Sequence, residues 1–354
     1  MKEYRKRTTT KRSQKKRLLA SAAAVFTAAA LAGGSVTVWA KEESDAELNQ
    51  ADHLNIALQP IPGYLPVSLL QDKGWVEEAL QDAGYEDVKV TYTEFESGPP
   101  ENESFASGAQ DIGVMGNVPT LSAVAAGQER TILGVAYNGE KTEAVLVAKD
   151  SDISSVADLK GKKVGLVVGS IAQDFFERLL ESEGIKADEV QLVNLASTEQ
   201  KSALASGQVD AIAVWQPMIA QVEAAETGKV LVDGSELYKC ENLISGNTDY
   251  IKENPEIVQI FLDQYKRAAE EVSSDTETYA ESYAEKYALE AAIVNATISD
   301  MNFPVTIEEE DIEDLQQTAD WLYDSGNVKE KVTVQDVVDT DFAGADTASE
   351  NTEE

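Results

Sequence analysis

Short apolar runs of strand length alternate with helical stretches from Leu54 onward. Strands are predicted at Leu54–Leu58, Val88–Phe95, Ile112–Val114, Ile132–Ala136, Ala144–Ala148, Val164–Val168, Val190–Leu195, Ala211–Val214 and Val230–Val232. The stretch Val67–Ala83 is predicted as one helix, because its apolar residues recur on one face and Gly84 follows its end. This alternation predicts an α/β fold with largely parallel sheets.

The C-terminal third is predicted to be helical from Pro255 to about Ser325, with a break at Pro304. Residues 341–354 are acidic and have no periodic apolar face. We expect this last segment to form a disordered tail.

A pattern of capping residues occurs twice along the chain. Ala106–Gly108 and Ala205–Gly207 both read Ala-Ser-Gly, and a short apolar run and a turn with Pro119 or Pro217 follow them. Glycine suits the end of a helix and proline suits the first turn of the next one. The repeat predicts two similar lobes, with coincidence of common capping residues as the alternative.

The first forty residues have the pattern of a secretory signal peptide. Nine Lys and Arg residues lie within the first 17 positions, and the charge-free stretch Leu18–Val38 follows them. Val38 and Ala40 suit a cleavage before Lys41, and residues 41–50 are predicted as a flexible lead. An uncleaved anchor is the alternative, since about 20 apolar residues can span a bilayer. No cysteine lies near the cleavage point, so we expect an exported protein without a lipid anchor.

The charge balance argues against a nucleic-acid partner. The chain has 64 Asp and Glu against 29 Lys and Arg, for a net charge of −35, whereas phosphate binding needs clustered basic residues. Cys240 and His53 are the single cysteine and histidine, so an intramolecular disulfide is impossible and a Cys/His zinc site is not expected. We expect neither a metal nor a cofactor.

Three turns follow predicted strands at the edge where open α/β sheets bind ligands. They are Gly116-Asn117, Gly169-Ser170 and Trp215-Gln216, and the first two lead directly into the predicted helices Val118–Ala126 and Ile171–Glu183. Helix N-termini present free N–H groups and the positive end of the helix dipole, so they can hold an anion without Lys or Arg. The turns therefore predict a site for a small anionic solute in an acidic protein.

The candidate ligand-binding residues are Tyr64, Gly116, Asn117, Gly169, Ser170, Gln173, Trp215 and Gln216. Each has a structural alternative: Gly116 can be a turn glycine, and Asn117 or Ser170 a helix cap. Trp215 can be a core residue, whereas Gln173 and Tyr64 can be surface residues.

Enzyme signatures are absent from the sequence. There is no G-x-G-x-x-G that opens a helix, no G-x-x-x-x-G-K-[S/T] and no G-x-S-x-G. His53 lies in a polar segment, which is a poor position for a general base. We therefore expect a binding protein and not an enzyme.

Five segments in order resemble the aliphatic-sulfonate, taurine and nitrate branch of ABC-transporter substrate-binding proteins. They are TEFESGPP (93–100), SGAQDIGVMGNVP (107–119), VADLKGKKVGLVVGS (156–170), SGQVDAIAVWQPM (206–218) and TADWLYDSGNVKEKVTVQDVVD (318–339). The similarity extends from about Leu54 to Phe342.

The resemblance implies the type II periplasmic binding protein fold, with two lobes, each a mixed sheet flanked by helices. Two crossing strands would map to Glu143–Ala148 and Leu243–Thr248, so that 51–142 with 246–340 forms lobe one and 143–245 forms lobe two. It further implies a monomer that passes a small anionic solute, expected to be an aliphatic sulfonate, to ABC permease subunits in the membrane.

Two positions depart from the pattern of this family. The family usually has an acidic residue at the position of Asn117 and often one at the position of Gln216. Two neutral amides there suit an anion, and they weaken the case for a ligand with an amino group, such as taurine.

Several alternatives stay open. Nitrate, bicarbonate, a thiamine-precursor pyrimidine or another small organic solute can replace the sulfonate. A module that senses a ligand for a membrane receptor is a second class. A thiamine-pyrimidine enzyme shares the fold, but its chemistry requires more Cys and His than this chain contains.

Overall fold

A computed structural model describes residues 51–235, 237 and 239–342. The predicted signal peptide, the flexible lead and nearly all of the acidic tail lie outside the described residues. Among the residues that are described, no helix is long and apolar enough to cross a membrane.

The first sheet has five strands in the order β2-β1-β3-β10-β4. They are β1 (His53–Leu58), β2 (Lys89–Glu94), β3 (Ile112–Gly116), β4 (Arg130–Gly139) and β10 (Cys240–Asn247). β1 is parallel to β2 and to β3, whereas β10 is antiparallel to both β3 and β4.

The second sheet repeats this arrangement in the order β7-β6-β8-β5-β9. Its strands are β5 (Glu143–Ala148), β6 (Lys163–Leu166), β7 (Gln191–Asn194), β8 (Ala211–Trp215) and β9 (Gly228–Asp233). β6 is parallel to β7 and β8, and β5 is antiparallel to β8 and β9. Both sheets are mixed, so the expectation of largely parallel sheets is wrong for half of the strand pairs, whereas the two-lobed α/β fold is confirmed.

The repeated capping pattern corresponds to equivalent places in the two sheets. Ala106 ends helix α3 (Gly98–Ala106) before β3, and Ser206 ends helix α6 (Ser197–Ser206) before β8. β3 and β8 are the middle strands of their sheets. The repeat therefore reflects two similar halves.

Helices cover the faces of both sheets. The remaining helices are α1 (Leu65–Lys73), α2 (Trp75–Asp82), α4 (Asn117–Ala125), α5 (Ile171–Ser182), α7 (Met218–Ala224), α8 (Thr248–Glu253), α9 (Pro255–Ser274), α10 (Thr276–Tyr283), α11 (Ala291–Ser299) and α12 (Glu309–Asp324). The single helix predicted at Val67–Ala83 is wrong. Gly74 has a left-handed φ of 65°, which ends α1 before α2 begins.

Buried apolar clusters hold the helices on the sheets. In α5, Phe175, Phe176, Leu179 and Leu180 recur at helical spacing and are buried where the helix packs on β5 and β8. The same cluster contains side chains of α4, β4 and α12, so the two sheets share part of one core. This shared core holds the halves together around the space between them.

The chain passes from one sheet to the other twice. The first passage joins β4 to β5, near the predicted position. The second joins Asp233 of β9 to Cys240 of β10. The predicted lobe boundary at residue 245 therefore falls inside β10, and the whole of β10 belongs to the first sheet. The start of β10 is polar, so the sequence does not indicate a strand there.

Candidate functional site

A cavity lies where the two sheets meet at the ends of their middle strands. Gly116 ends β3, and Trp215 ends β8. Ser170 precedes α5 shortly after β6, and Tyr64 lies in the 3-10 turn Pro62–Tyr64 before α1. All four predicted residues line the cavity. The structure thus brings together half of the predicted set, although these residues are far apart in sequence.

Ten further residues complete the lining: Gln59, Ile61, Ser97, Gly98, Pro99, Pro119, Tyr137, Glu143, Ile171 and Asn242. None of them was among the predicted ligand-binding residues. Pro99, beside Gly98 and Ser97, is a recognisable helix-start signal that could have identified part of this set. None of the lining residues is a Lys, Arg or His.

Three helices direct their N-termini at the cavity. Their N-cap residues are Ser97 of α3, Gly116 of α4 and Ser170 of α5, and all three line the cavity. None of the three caps its helix with a side chain; the Ser170 hydroxyl donates instead to the carbonyl oxygen of Val167 at 2.7 Å. The positive ends of three helix dipoles therefore converge, which favours an anion in the cavity.

Hydrogen-bonding groups from the first sheet form one side of the cavity. The Tyr64 hydroxyl donates to Oδ1 of Asn242, and the rings of Tyr64 and Tyr137 lie 5.3 Å apart. Burial raises the pKa of both tyrosines well above the usual value, so both phenols stay protonated. The alternative of Tyr64 as a surface residue is wrong, because it is 1% exposed.

Glu143 provides the single carboxyl group of the cavity lining. It is the first residue of β5, is 1% exposed and is opposite Trp215 in the sheet. Its Oε2 accepts a hydrogen bond from Oγ1 of Thr142 at 2.7 Å, whereas Oε1 is buried without a hydrogen-bond partner. Burial raises the pKa of Glu143 to about 7.

Four predicted residues do not line the cavity. Asn117 is buried, its Oδ1 accepts from the Val118 amide at 2.7 Å, and its Nδ2 donates to the Thr318 hydroxyl at 3.3 Å. Gln216 is also buried, and its Oε1 accepts from the Ala220 amide at 3.2 Å in the first turn of α7. The side-chain amides of Asn117 and Gln216 therefore do not line the cavity.

Gly169 and Gln173 support the turn that carries Ser170. The Gly169 amide donates to Oε1 of Gln173 at 2.8 Å, and Nε2 of Gln173 donates to Glu177 at 2.7 Å. Gln173 is only 6% exposed, so the solvent-facing alternative is wrong. Gly169 has a φ of 79°, a conformation that favours glycine.

A polar network behind the cavity connects α4, α5 and α12. Asp174 is paired with Arg178 at 2.5 Å, and the Thr318 hydroxyl lies 3.4 Å from Asp174 and 3.3 Å from Nδ2 of Asn117. Elsewhere between the halves, the Thr198 hydroxyl donates to Oε1 of Glu96 at 3.1 Å. Of these contacts, Thr318–Asp174 and Thr198–Glu96 run between the two halves.

The inner cavity is small, and a larger one adjoins it. The inner cavity has a free volume of about 30 Å³, room for about one or two water molecules. The outer cavity has about 350 Å³, and Ile61 and Trp215 line both. Ser197, Thr198, Lys201 and Gln221 are among the polar residues of the outer cavity. Trp215 therefore stands between a tight inner site and a roomier outer one.

In the described part of the chain, no group of three or more His, Cys, Asp or Glu residues is placed to hold a metal ion. Cys240 is a free, buried thiol, and burial followed by the charge of Glu143 raises its pKa well above the usual value.

Two similar α/β lobes with a cavity between them, at the carboxyl ends of their middle strands, define a two-lobed solute-binding protein. The family model described as NMT1/THI5 like matches residues 70–278. The chain belongs to this family.

Relatives and solved structures agree with this assignment. An aliphatic sulfonates-binding protein of Escherichia coli is 31% identical over 72% of this chain and 81% of its own. One of Bacillus subtilis is 29% identical over 78% and 83%. The alkanesulfonate-binding protein SsuA from Xanthomonas axonopodis pv. citri, solved bound to MOPS, has a TM-score of 0.74 at 25% identity and covers 82% of this chain and 98% of its own.

Proposed function

We propose that this protein is the extracytoplasmic solute-binding component of an ABC importer and captures an aliphatic sulfonate between its lobes. The observation that carries the proposal is the convergence of three helix N-termini on a cavity lined by no Lys, Arg or His. Such N-termini attract an anionic headgroup through fixed dipoles, which remain effective in a strongly acidic protein. The names of the relatives point to the same ligand class.

The cavity holds its ligand through lobe closure. Lobe one would consist of 51–142 and the part of the chain from β10 onward, and lobe two of β5 to β9. Residues of both lobes line the inner cavity, so a ligand bound there contacts both lobes. The ligand enters while the lobes are apart, and the lobes then close around it, as in hinge-type domain closure.

The outer cavity favours an organic sulfonate over a bare inorganic anion. Its volume of about 350 Å³ begins at Trp215, directly beside the inner site. A headgroup in the inner site can therefore extend its organic part past the Trp215 ring into the outer cavity. Nitrate and bicarbonate have no organic part to use this space.

The position of the protein in the cell follows from the same proposal. The predicted signal peptide exports the chain, which then meets membrane permease subunits as a monomer on the outer face of the cytoplasmic membrane. No catalytic step is part of this function.

Thermal unfolding in the presence of candidate ligands tests the proposal. A ligand that binds only the native state stabilises it by mass action, by about 2.7 kcal/mol at a hundred times its Kd. This stabilisation raises Tm. We expect alkanesulfonates to raise Tm at micromolar to millimolar concentrations, with nitrate, bicarbonate and thiamine-precursor pyrimidines without effect. Taurine, compared with ethanesulfonate, reports whether an amino group is accepted. A shift with a pyrimidine or an inorganic anion alone would remove the sulfonate from the proposal.

A further inference from the structure

Glu143 is an unexpected group in a cavity that suits an anion. It is 1% exposed, lines the inner cavity and has one oxygen, Oε1, with no hydrogen-bond partner. Its other oxygen, Oε2, accepts a hydrogen bond from Thr142 at 2.7 Å. An unpaired buried carboxyl oxygen costs free energy unless a ligand or a proton satisfies it.

The groups that face Glu143 are neutral or acidic. Tyr64 reaches the cavity from the turn before α1, and Tyr137 reaches it from β4. Cys240 of β10 lies against the Glu143 carboxyl, and Asp174 of α5 acts on it through its negative charge.

The remaining neighbouring charges do not compensate for that of Glu143. On β9, Asp233 is opposite Ala144, the residue next to Glu143. On β10, Glu241 follows Cys240 and lies 3.8 Å from the Lys239 ammonium. The Arg178 guanidinium forms an ion pair with Asp174, with Nε 2.5 Å from Oδ1. Burial, followed by the influence of Asp174, raises the pKa of Glu143 to about 7, so the carboxyl is already partly protonated near neutral pH.

An anion in the same cavity places a second negative charge beside this carboxyl. Two like charges in a buried site cannot both ionise without a counter-charge, so the anion favours the protonated acid. A protonated carboxyl carries one O–H donor, and Oε1 is the oxygen without a partner. We propose, as a deepening of the proposed function, that Glu143 binds in its protonated form and donates a hydrogen bond to the anionic headgroup, so that the anion is taken up with one proton.

An ionised Glu143 would give a different ligand preference and a different pH dependence of binding. If Glu143 stayed ionised, it would accept a hydrogen bond from an ammonium group of the ligand. Binding would then favour an amino-sulfonate such as taurine over ethanesulfonate and would strengthen as pH rises.

Calorimetric titration of the purified protein with ethanesulfonate, from pH 5.5 to 8.5, tests the proposal. For a carboxyl pKa of about 7, Kd should rise roughly 30-fold across this range. Titrations in buffers of different ionisation enthalpy should show proton uptake that approaches one per ligand at pH 8.5. Taurine is titrated in parallel, and nitrate serves as the inorganic probe.

Glu143→Gln carries a permanent donor that does not titrate. It should bind ethanesulfonate with the same Kd at every pH and without proton uptake. Glu140→Gln changes an exposed carboxyl three positions away and should keep the wild-type pH dependence. If Glu143→Gln fails to fold, Glu101→Gln decides the question, because Glu101 is a second buried carboxyl of raised pKa and accepts a hydrogen bond from Gln59 of the cavity lining. Proton uptake that persists in Glu101→Gln assigns the proton to Glu143, and uptake that disappears there overturns the role of Glu143.

Two kinds of failure are distinguishable. A pH-independent Kd for ethanesulfonate without proton uptake, or a preference for taurine that Glu143→Gln abolishes, overturns the role of Glu143 and leaves anion binding in place. Absence of binding by ethanesulfonate, taurine and nitrate at every pH removes the proposed function and this inference with it.

Discussion

Gly116 and Ile171 face each other so closely that a Cβ atom on Gly116 would overlap with Cδ1 and Cγ1 of Ile171. Gly116 ends β3 of the first sheet, and Ile171 begins α5, which packs on the second sheet. The contact therefore crosses the cavity between the lobes. The φ of Gly116 is −61°, so an alanine would strain no backbone here. A side chain at this position fits only if the Ile171 side chain moves, because the lobes approach each other closely here.

Gly116→Ala should therefore impede lobe closure more than it affects folding. We expect ligand affinity to fall at least tenfold, about 1.4 kcal/mol, because the closed form is lost. X-ray scattering at saturating ligand should show a larger radius of gyration than wild type. Titration calorimetry gives the affinity, and urea unfolding gives the stability.

Ile171→Ala provides the matched test of this explanation. It removes both atoms that the new methyl group would meet, so Gly116→Ala combined with Ile171→Ala should bind nearly as well as Ile171→Ala alone. Additive losses in the double variant would show that the overlap with Ile171 is not the cause.

Trp215→Ala should weaken ligand binding at least tenfold, because the indole lines both cavities. Trp215 is half-buried, so its loss should cost less stability than a core residue. Trp75→Ala is the control for affinity, since Trp75 lies on α2 and lines neither cavity. If Trp215→Ala lowered stability and left affinity unchanged, Trp215 would be a core residue without a role in binding.

The sequence predicts strands better than it predicts their pairing. The apolar runs at β1, β3, β5, β6 and β8 are buried strands, in agreement with their short length and the turn residues beside them. β10 is missing from the strands that the apolar runs predict, since Glu241 and Asn242 break its pattern, and only the family resemblance implies a strand in its second half. The Oδ1 atom of Asn242 accepts a hydrogen bond from the Tyr64 hydroxyl, 178 positions away in sequence. A contact over this distance leaves no pattern in the sequence around Asn242.

The site shows the same division between local and distant signals. Gly116, Ser170 and Trp215 follow or lie close to strand ends, so topology alone predicts that they line the cleft. Glu143 and Tyr137 lie at the passage between sheets, where their burial depends on how the lobes meet. Asn117 and Gln216 are predicted from their positions, but the Asn117 side chain contacts Thr318 of α12 in the same lobe, and the Gln216 side chain contacts the first turn of α7.

Arg178→Ala should destabilise the protein by about 2 kcal/mol or more, because it leaves the fully buried carboxylate of Asp174 without its guanidinium. Urea unfolding at neutral pH measures the change. Asp174→Asn added to Arg178→Ala removes the charge and should recover part of the loss. If the double variant were no more stable than Arg178→Ala, the loss would arise from packing.

Glu241→Gln should stabilise the protein above neutral pH. Burial, followed by the neighbouring Asp311, raises the pKa of Glu241 to about 10 from the ordinary 4.5. The folded state therefore holds a proton that the unfolded state has lost, and the free energy of unfolding falls as pH rises between these values. The slope reaches about 1.4 kcal/mol per pH unit for one proton.

Urea unfolding of wild type and Glu241→Gln between pH 5 and 9 measures this effect. The variant should be more stable by about 2 kcal/mol or more at pH 8, and the difference should shrink towards pH 5. Glu253→Gln, an exposed change on α8, should follow wild type throughout. Burial also raises the pKa of Glu101 to about 8, so a residual slope of the same sign should persist in Glu241→Gln. A constant difference between the two proteins at all pH values would mean that Glu241 is ionised in the folded state, with Lys239 as its counter-charge.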